Sequence, residues 1–146
     1  MARRSRVLAV TIVAGLLATA CSGDDADEAG APAASSAGGA EAVSAIEGAE
    51  ILAAAPADLV LLDVRTQEEF DAGHIEGATV IDINQDDFTE RVAELDRDVP
   101  YVVYCRTGNR SAQATAIMAD LGFTDLVEIE DGIVGWVAEG LPVVTG

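Results

Sequence analysis

The chain has 146 residues, with 26 acidic side chains against 8 arginines and no lysine, for a formal charge of −18. That charge excludes general attraction to nucleic acid and to anionic membrane surfaces. An anionic substrate would be repelled by the molecule as a whole and has to be held by a local positive field.

Residues 1–6, "MARRSR", are basic, and residues 7–20, "VLAVTIVAGLLATA", are apolar. A charged start, a short apolar run and small residues before a cut site predict an export signal over 1–20. Fourteen apolar residues fall short of the roughly 20 that a membrane helix needs. The cut site reads in two ways. "ATA" fits an ordinary signal peptidase. "LATAC" resembles a bacterial lipobox, with Ala18 where leucine is usual, and implies lipid on Cys21. The expected location is then the outer face of a bacterial cell membrane, with plain secretion as the alternative. Without the three leading arginines the charge becomes about −21, so membrane attachment would come from lipid alone.

Residues 22–42 hold Ala, Gly, Ser, Pro and acids, with no aliphatic side chain larger than alanine. They bury too little apolar surface to order themselves and read as a disordered acidic linker, reaching about 25 Å. Residues 43–146 are expected to form one domain around a single core.

Within the domain, 46–55 reads as a short helix and "LVLLDV" (59–64) as a strand covered on both faces. Thr66 and Glu69 form a capping-box pattern that starts a helix at Thr66, stopped at Gly73. "ATVIDI" (78–83) is a second strand, and "DFTERVAEL" an amphipathic helix with Phe88, Val92 and Leu95 on one face. "YVVYC" is a strand after Pro100. "SAQATAIMADL" (111–121) is a helix ended by Gly122, "LVEI" (126–129) a strand, and "IVGWVAE" a last helix. Strict alternation predicts an α/β domain with a mostly parallel sheet, whose ligands bind beyond the carboxyl ends of the strands.

Cys105 sits at such an end. It opens "CRTGNRS", residues 105–111, which carries two of the five arginines outside the signal segment. Gly108 lets the loop turn its N–H groups inward, and a helix follows whose N-terminus adds partial positive charge. With Arg106 and Arg110, this loop is expected to favour the thiolate of Cys105, the nucleophilic form, and to draw in an anion. If Cys21 carries lipid, Cys105 is the lone thiol. The single His74 lacks the partners for a metal site. His74 and Trp136 are expected to be structural, and Asp63 and Arg65 to pair near a strand end.

"CRTGNRS" resembles the active-site loop of single-domain rhodaneses, C-x-x-G-x-R-[ST]. "LLDVRTQEEFDAGHIEGA" and "GFTDLVEIEDGIVGW" resemble two further segments of that family, in the same order and spacing over about 44–144. The resemblance implies a rhodanese-like sheet of about five strands with helices on both faces. It implies a thiosulfate-type sulfurtransferase in which Cys105 carries a persulfide, the backbone from Arg106 through Thr107, Gly108 and Asn109 to Arg110 cradles the sulfur, and Arg106, Arg110 and Ser111 serve an anionic donor. The acceptor would be cyanide, a thiol or a protein partner. No metal or organic cofactor is implied. Four residues separate Cys105 from Arg110, where a related phosphatase loop has five; Ser111 takes the phosphatase arginine's place, which favours sulfur over phosphate. Glu76 and Asp131 stand where the family has proline and glycine. A non-catalytic sulfur-carrier module and a thiol redox sensor are the alternative readings.

Overall fold

A computed structural model describes residues 39–146. The export signal, Cys21 and nearly all of the 22–42 linker lie outside the described residues.

Ten elements alternate along the described residues: β1 (Glu41–Val43), α1 (Ala45–Ala54), β2 (Val60–Asp63), α2 (Gln67–Ala72), β3 (Thr79–Val80), α3 (Phe88–Ala93), β4 (Tyr101–Tyr104), α4 (Asn109–Asp120), β5 (Leu126–Ile129) and α5 (Gly132–Ala138). The five strands form one sheet in the order β1-β5-β4-β2-β3, and every pairing is parallel. The fold is the expected rhodanese-like α/β class.

The two faces follow from the period-2 alternation of strand side chains. Tyr101 and Val103 of β4 face one core with Leu62, Phe88, Val92, Ala114 and Met118, so α3 and α4 cover that side. Val102 and Tyr104 face the other core with Ala45, Ile129, Ile133 and Trp136, beneath α1 and α5. All four residues of β4 are buried. A central strand covered on both sides needs such a continuous apolar run.

The sheet begins inside the segment read as linker: Glu41 pairs with Val127 and Ala42 with Glu128 at the sheet edge. Composition hid this strand, because its stability comes from the neighbouring β5 rather than from its own side chains. Ser44 then caps α1 in a full capping box with Glu47. The Thr66–Glu69 capping box is formed as expected. Gly48 inside α1 lies against the Ile129 side chain, where a Cβ would collide, so a weak helix former serves close helix–sheet packing.

Two expected elements differ. β3 spans only Thr79–Val80 of the 78–83 run. α4 starts at Asn109, two residues early, which places Arg110 in the first turn of a helix rather than in a loop.

Candidate active site

Cys105 follows β4 directly and, by the strand's alternation, points to the α4 side of the sheet. It is 1% exposed and its thiol is free. The chain then turns through Gly108 at φ 88°, the residue preceding α4. A side chain there would strike the Glu130 carbonyl, so the turn requires glycine on grounds of both conformation and space. Gly132, at φ 58°, is constrained in the same way by the carbonyls of Cys105 and Arg106. Those carbonyls accept bonds from Ile133 N (2.9 Å) and Val134 N (3.1 Å) at the start of α5. With its carbonyls held outward by α5, the loop presents its N–H groups to the sulfur.

Burial alone would push the Cys105 thiol up. The Ser111 hydroxyl and the backbone N–H groups of Ser111, Thr107 and Arg110 outweigh it, so the thiol lies below its ordinary range. This is the local stabilisation of a thiolate that the loop composition suggested. The N-terminus of α4 points partial positive charge at the same place.

The arginines divide. Arg110 forms a two-pronged ion pair with Glu69 of α2, at 2.7 and 2.9 Å. The expectation that Arg110 meets the substrate directly is thus qualified: its guanidinium is occupied by a carboxylate 41 residues away. Its charge still favours the Cys105 thiolate at short range. Arg110 holds the Glu69 carboxyl down at about 2. Glu69 serves twice, since it also closes the capping box of α2. The capping-box pattern gave Glu69 its place at the start of α2, but its bond to Arg110 is one that no local pattern reveals. Arg106 is exposed and has no carboxylate partner among the described residues. Thr107 and Asn109 are exposed beside it.

Ser111 is fully buried. Its Oγ lies 2.7 Å from Glu128 Oε1, 2.9 Å from the Gly108 carbonyl and 3.4 Å from Cys105 Sγ. The residue in the phosphatase arginine's place therefore brings a hydroxyl rather than a charge to the sulfur. Glu128, in β5, is 8% exposed. Burial pushes its carboxyl up, Glu130 adds to the rise, and Ser111 opposes it. The sequence did hold a signal for it, an acid inside the apolar strand "LVEI", but the strand's buried side could be assigned only from its neighbours.

A hollow of about 400 Å³ is lined by residues of and beside α2 and α5, among them Arg65, Glu69, Gly73, Ile133, Val134 and Val137. Arg65 forms the expected pair with Asp63 at 2.6 Å, both side chains being buried. It also donates to the Gly73 carbonyl and lies over the Tyr104 ring. His74 stacks on Phe70 and its Nδ1 meets the Phe70 carbonyl. Trp136 is buried, with its indole N–H on the Pro142 carbonyl. Both are accounted for structurally.

The two departures from the family pattern are benign. Glu76 sits exposed in a turn. Asp131 has φ −80° and ψ −11°, a conformation open to any residue, so the glycine that matters is the second one, Gly132.

Comparison with known proteins agrees with this geometry. The model of the rhodanese-like domain matches residues 22–139. The "Probable adenylyltransferase/sulfurtransferase MoeZ" of Mycobacterium tuberculosis is 42% identical over 84 residues, which are 58% of this chain and 21% of that protein. The chain thus matches about a fifth of that relative's length. The "Thiosulfate sulfurtransferase GlpE" of Pseudomonas fluorescens is 40% identical over 78 residues, 53% of this chain and 69% of that one. A crystal structure of a rhodanese-related protein from Thermoplasma volcanium superimposes with a TM-score of 0.64 at 34% identity, covering 73% of this chain and 99% of its own. With a buried cysteine at the end of a central strand of a parallel α/β sheet and these relatives, the chain belongs to the rhodanese-like family.

Proposed function

We propose that this protein is a thiosulfate-type sulfurtransferase working by double displacement through a Cys105 persulfide. The observation that carries the reading is the buried Cys105 sulfur between the end of β4 and the start of α4, with the Ser111 hydroxyl 3.4 Å away and the Cys105 and Arg106 carbonyls bonded to the start of α5. In the first step the thiolate attacks the sulfane sulfur of the donor. The Sγ–S bond forms, the S–S bond of thiosulfate breaks, and sulfite leaves with the electron pair. In the second step cyanide or a thiolate attacks the outer sulfur, and Cys105 departs as thiolate. Nucleophilic catalysis of this kind divides one transfer into two easier ones.

The thiolate's stabilisation serves both steps, since the same N–H groups hold the sulfur as nucleophile and as leaving group. Arg106 supplies an exposed charge that meets the donor anion and the departing sulfite. Arg110 contributes at one remove, by its charge beside Sγ and by tying α2 to the start of α4.

The same proposal extends to location. The basic start, apolar run and Cys21 of the sequence support export and anchoring by lipid on Cys21. The intact mass of the mature protein, before and after thiosulfate, tests both points. We expect lipid on Cys21 and one added sulfur atom on Cys105, absent in Cys105→Ser. No added sulfur would overturn the sulfurtransferase reading. A single loading without turnover on cyanide would make the domain a carrier instead.

A further inference from the structure

We propose that Glu128 is a positioning residue of this site, whose protonation state decides whether the Ser111 hydroxyl donates to the sulfur of Cys105. The residue is outside the cysteine loop, and its role in sulfur transfer rests on the sulfurtransferase reading above.

A serine hydroxyl has one proton and two lone pairs. Around Ser111 Oγ stand three acceptors: Glu128 Oε1, the Gly108 carbonyl and Cys105 Sγ. They cannot all receive the one proton. With Glu128 ionised, the charged oxygen at 2.7 Å is the strongest acceptor and takes it. The sulfur then loses a donor and faces a negative charge across a single hydroxyl. With Glu128 protonated, the carboxyl donates to Ser111 Oγ, and the hydroxyl is free to turn its own proton to the thiolate. The two states differ by one proton held on the carboxyl. A proton leaving the thiol can pass through the hydroxyl to the carboxylate with no net change in charge.

The surroundings make this coupling count. Ser111 and Cys105 are buried at 0% and 1% exposure and Glu128 at 8%, so water screens them little. Glu128 pairs with Val103 of β4 and Ala42 of β1 in register, neither of which titrates. The charged groups near it are Glu130, just past the end of its strand, and, beside the sulfur, Arg110 with its partner Glu69. Asp82 also acts on Arg110, and Arg106 follows the sulfur in the loop. Two anions, Glu128 and the thiolate, thus compete for one hydroxyl. Such pairs titrate as a unit in two steps.

Alkylation of Cys105 by iodoacetamide against pH tests the idea, and needs no sulfur donor. It therefore succeeds or fails separately from sulfur transfer. The variants are Glu128→Gln, Ser111→Ala and the two combined. We expect a two-step wild-type profile and a single step for Glu128→Gln, whose amide imitates the protonated carboxyl as a permanent donor. The two profiles should meet at acid pH and part toward neutrality, where the variant reacts about threefold to tenfold faster. In the Ser111→Ala background the effect of Glu128→Gln should shrink. Superimposable profiles for wild type and Glu128→Gln would overturn the proposal, as would an undiminished effect without Ser111. Should Glu128→Gln not fold, the wild-type profile decides: two steps support the coupling, and one step refutes it.

Discussion

The sulfur of Cys105 lies between two flanks that handle a carboxyl group in contrary ways. On the outer flank, Glu69 is partly exposed, bonded twice to Arg110, and held as a firm anion. On the inner flank, Glu128 is buried against a neutral hydroxyl and pushed toward its protonated form. The same functional group is stabilised as a charge where a guanidinium meets it, and destabilised as a charge where only Ser111 does. In so acidic a protein the difference shows how a thiolate at Cys105 would be spared its acidic neighbours. The nearest acid on one side is neutralised by a cation, and on the other the carboxyl is disfavoured as an anion.

The largest effect is expected where both flanks are broken together. Gly132→Ala places a side chain against the Cys105 and Arg106 carbonyls and Gly108→Ala one against the Glu130 carbonyl, and both force a left-handed backbone, at about 1–3 kcal/mol of strain before any clash is counted. Urea melts should report the stability loss, and persulfide loading should fall about a hundredfold or more, since the N–H ring moves with the loop. A variant that loaded normally would show that the loop's shape is not what activates the sulfur.

Breaking the outer flank alone comes next. Glu69→Gln removes the ion pair and weakens the cap of α2, costing about 1–2 kcal/mol at neutral pH once solvent screening is allowed for. Its pH dependence has a definite sign. Because folding lowers the Glu69 carboxyl from 4.5 to about 2, its contribution is present above 4.5 and is lost as pH falls toward 2. Acid melts of wild type should show that loss, and Glu69→Gln should flatten it.

The inner flank predicts the opposite slope. Folding raises the Glu128 carboxyl, so its contribution is full in acid and is lost as pH rises through its folded value. Melting temperatures of Glu128→Gln relative to wild type should therefore climb with pH, by less than the Glu69 effect. A difference constant with pH would show that Glu128 does not titrate.

The smallest structural effect belongs to Arg106. Arg106→Ala should change stability by no more than about 0.5 kcal/mol, because the side chain is exposed and has no carboxylate partner among the described residues. It should nonetheless raise the KM for thiosulfate several-fold, and weaken the dependence of that KM on salt. An unchanged KM would leave the recruitment of the donor to the backbone cradle.

Much of this was legible in one dimension, for reasons that are local. The apolar run over β4 announced a strand buried on both faces. Thr66 and Glu69 announced a helix start, because a capping box is completed within four residues. Gly108 announced a turn, and Cys105 at a strand end announced the site. β1 was not legible, since Glu41–Val43 is a strand only because β5 lies beside it. The start of α4 was misplaced by two residues because Gly108 caps the helix by its conformation, without a side-chain bond.

From its own order of residues, then, the chain determined an α/β domain with a cysteine at a strand's carboxyl end, because periodicity, caps and turns act over a few residues. Only the tertiary structure decided how the charges around that cysteine are spent. Arg110 meets Glu69 across 41 residues and Ser111 meets Glu128 across 17. Such pairings exist only once the sheet has set the order β1-β5-β4-β2-β3 and buried one carboxyl while leaving the other in reach of a cation.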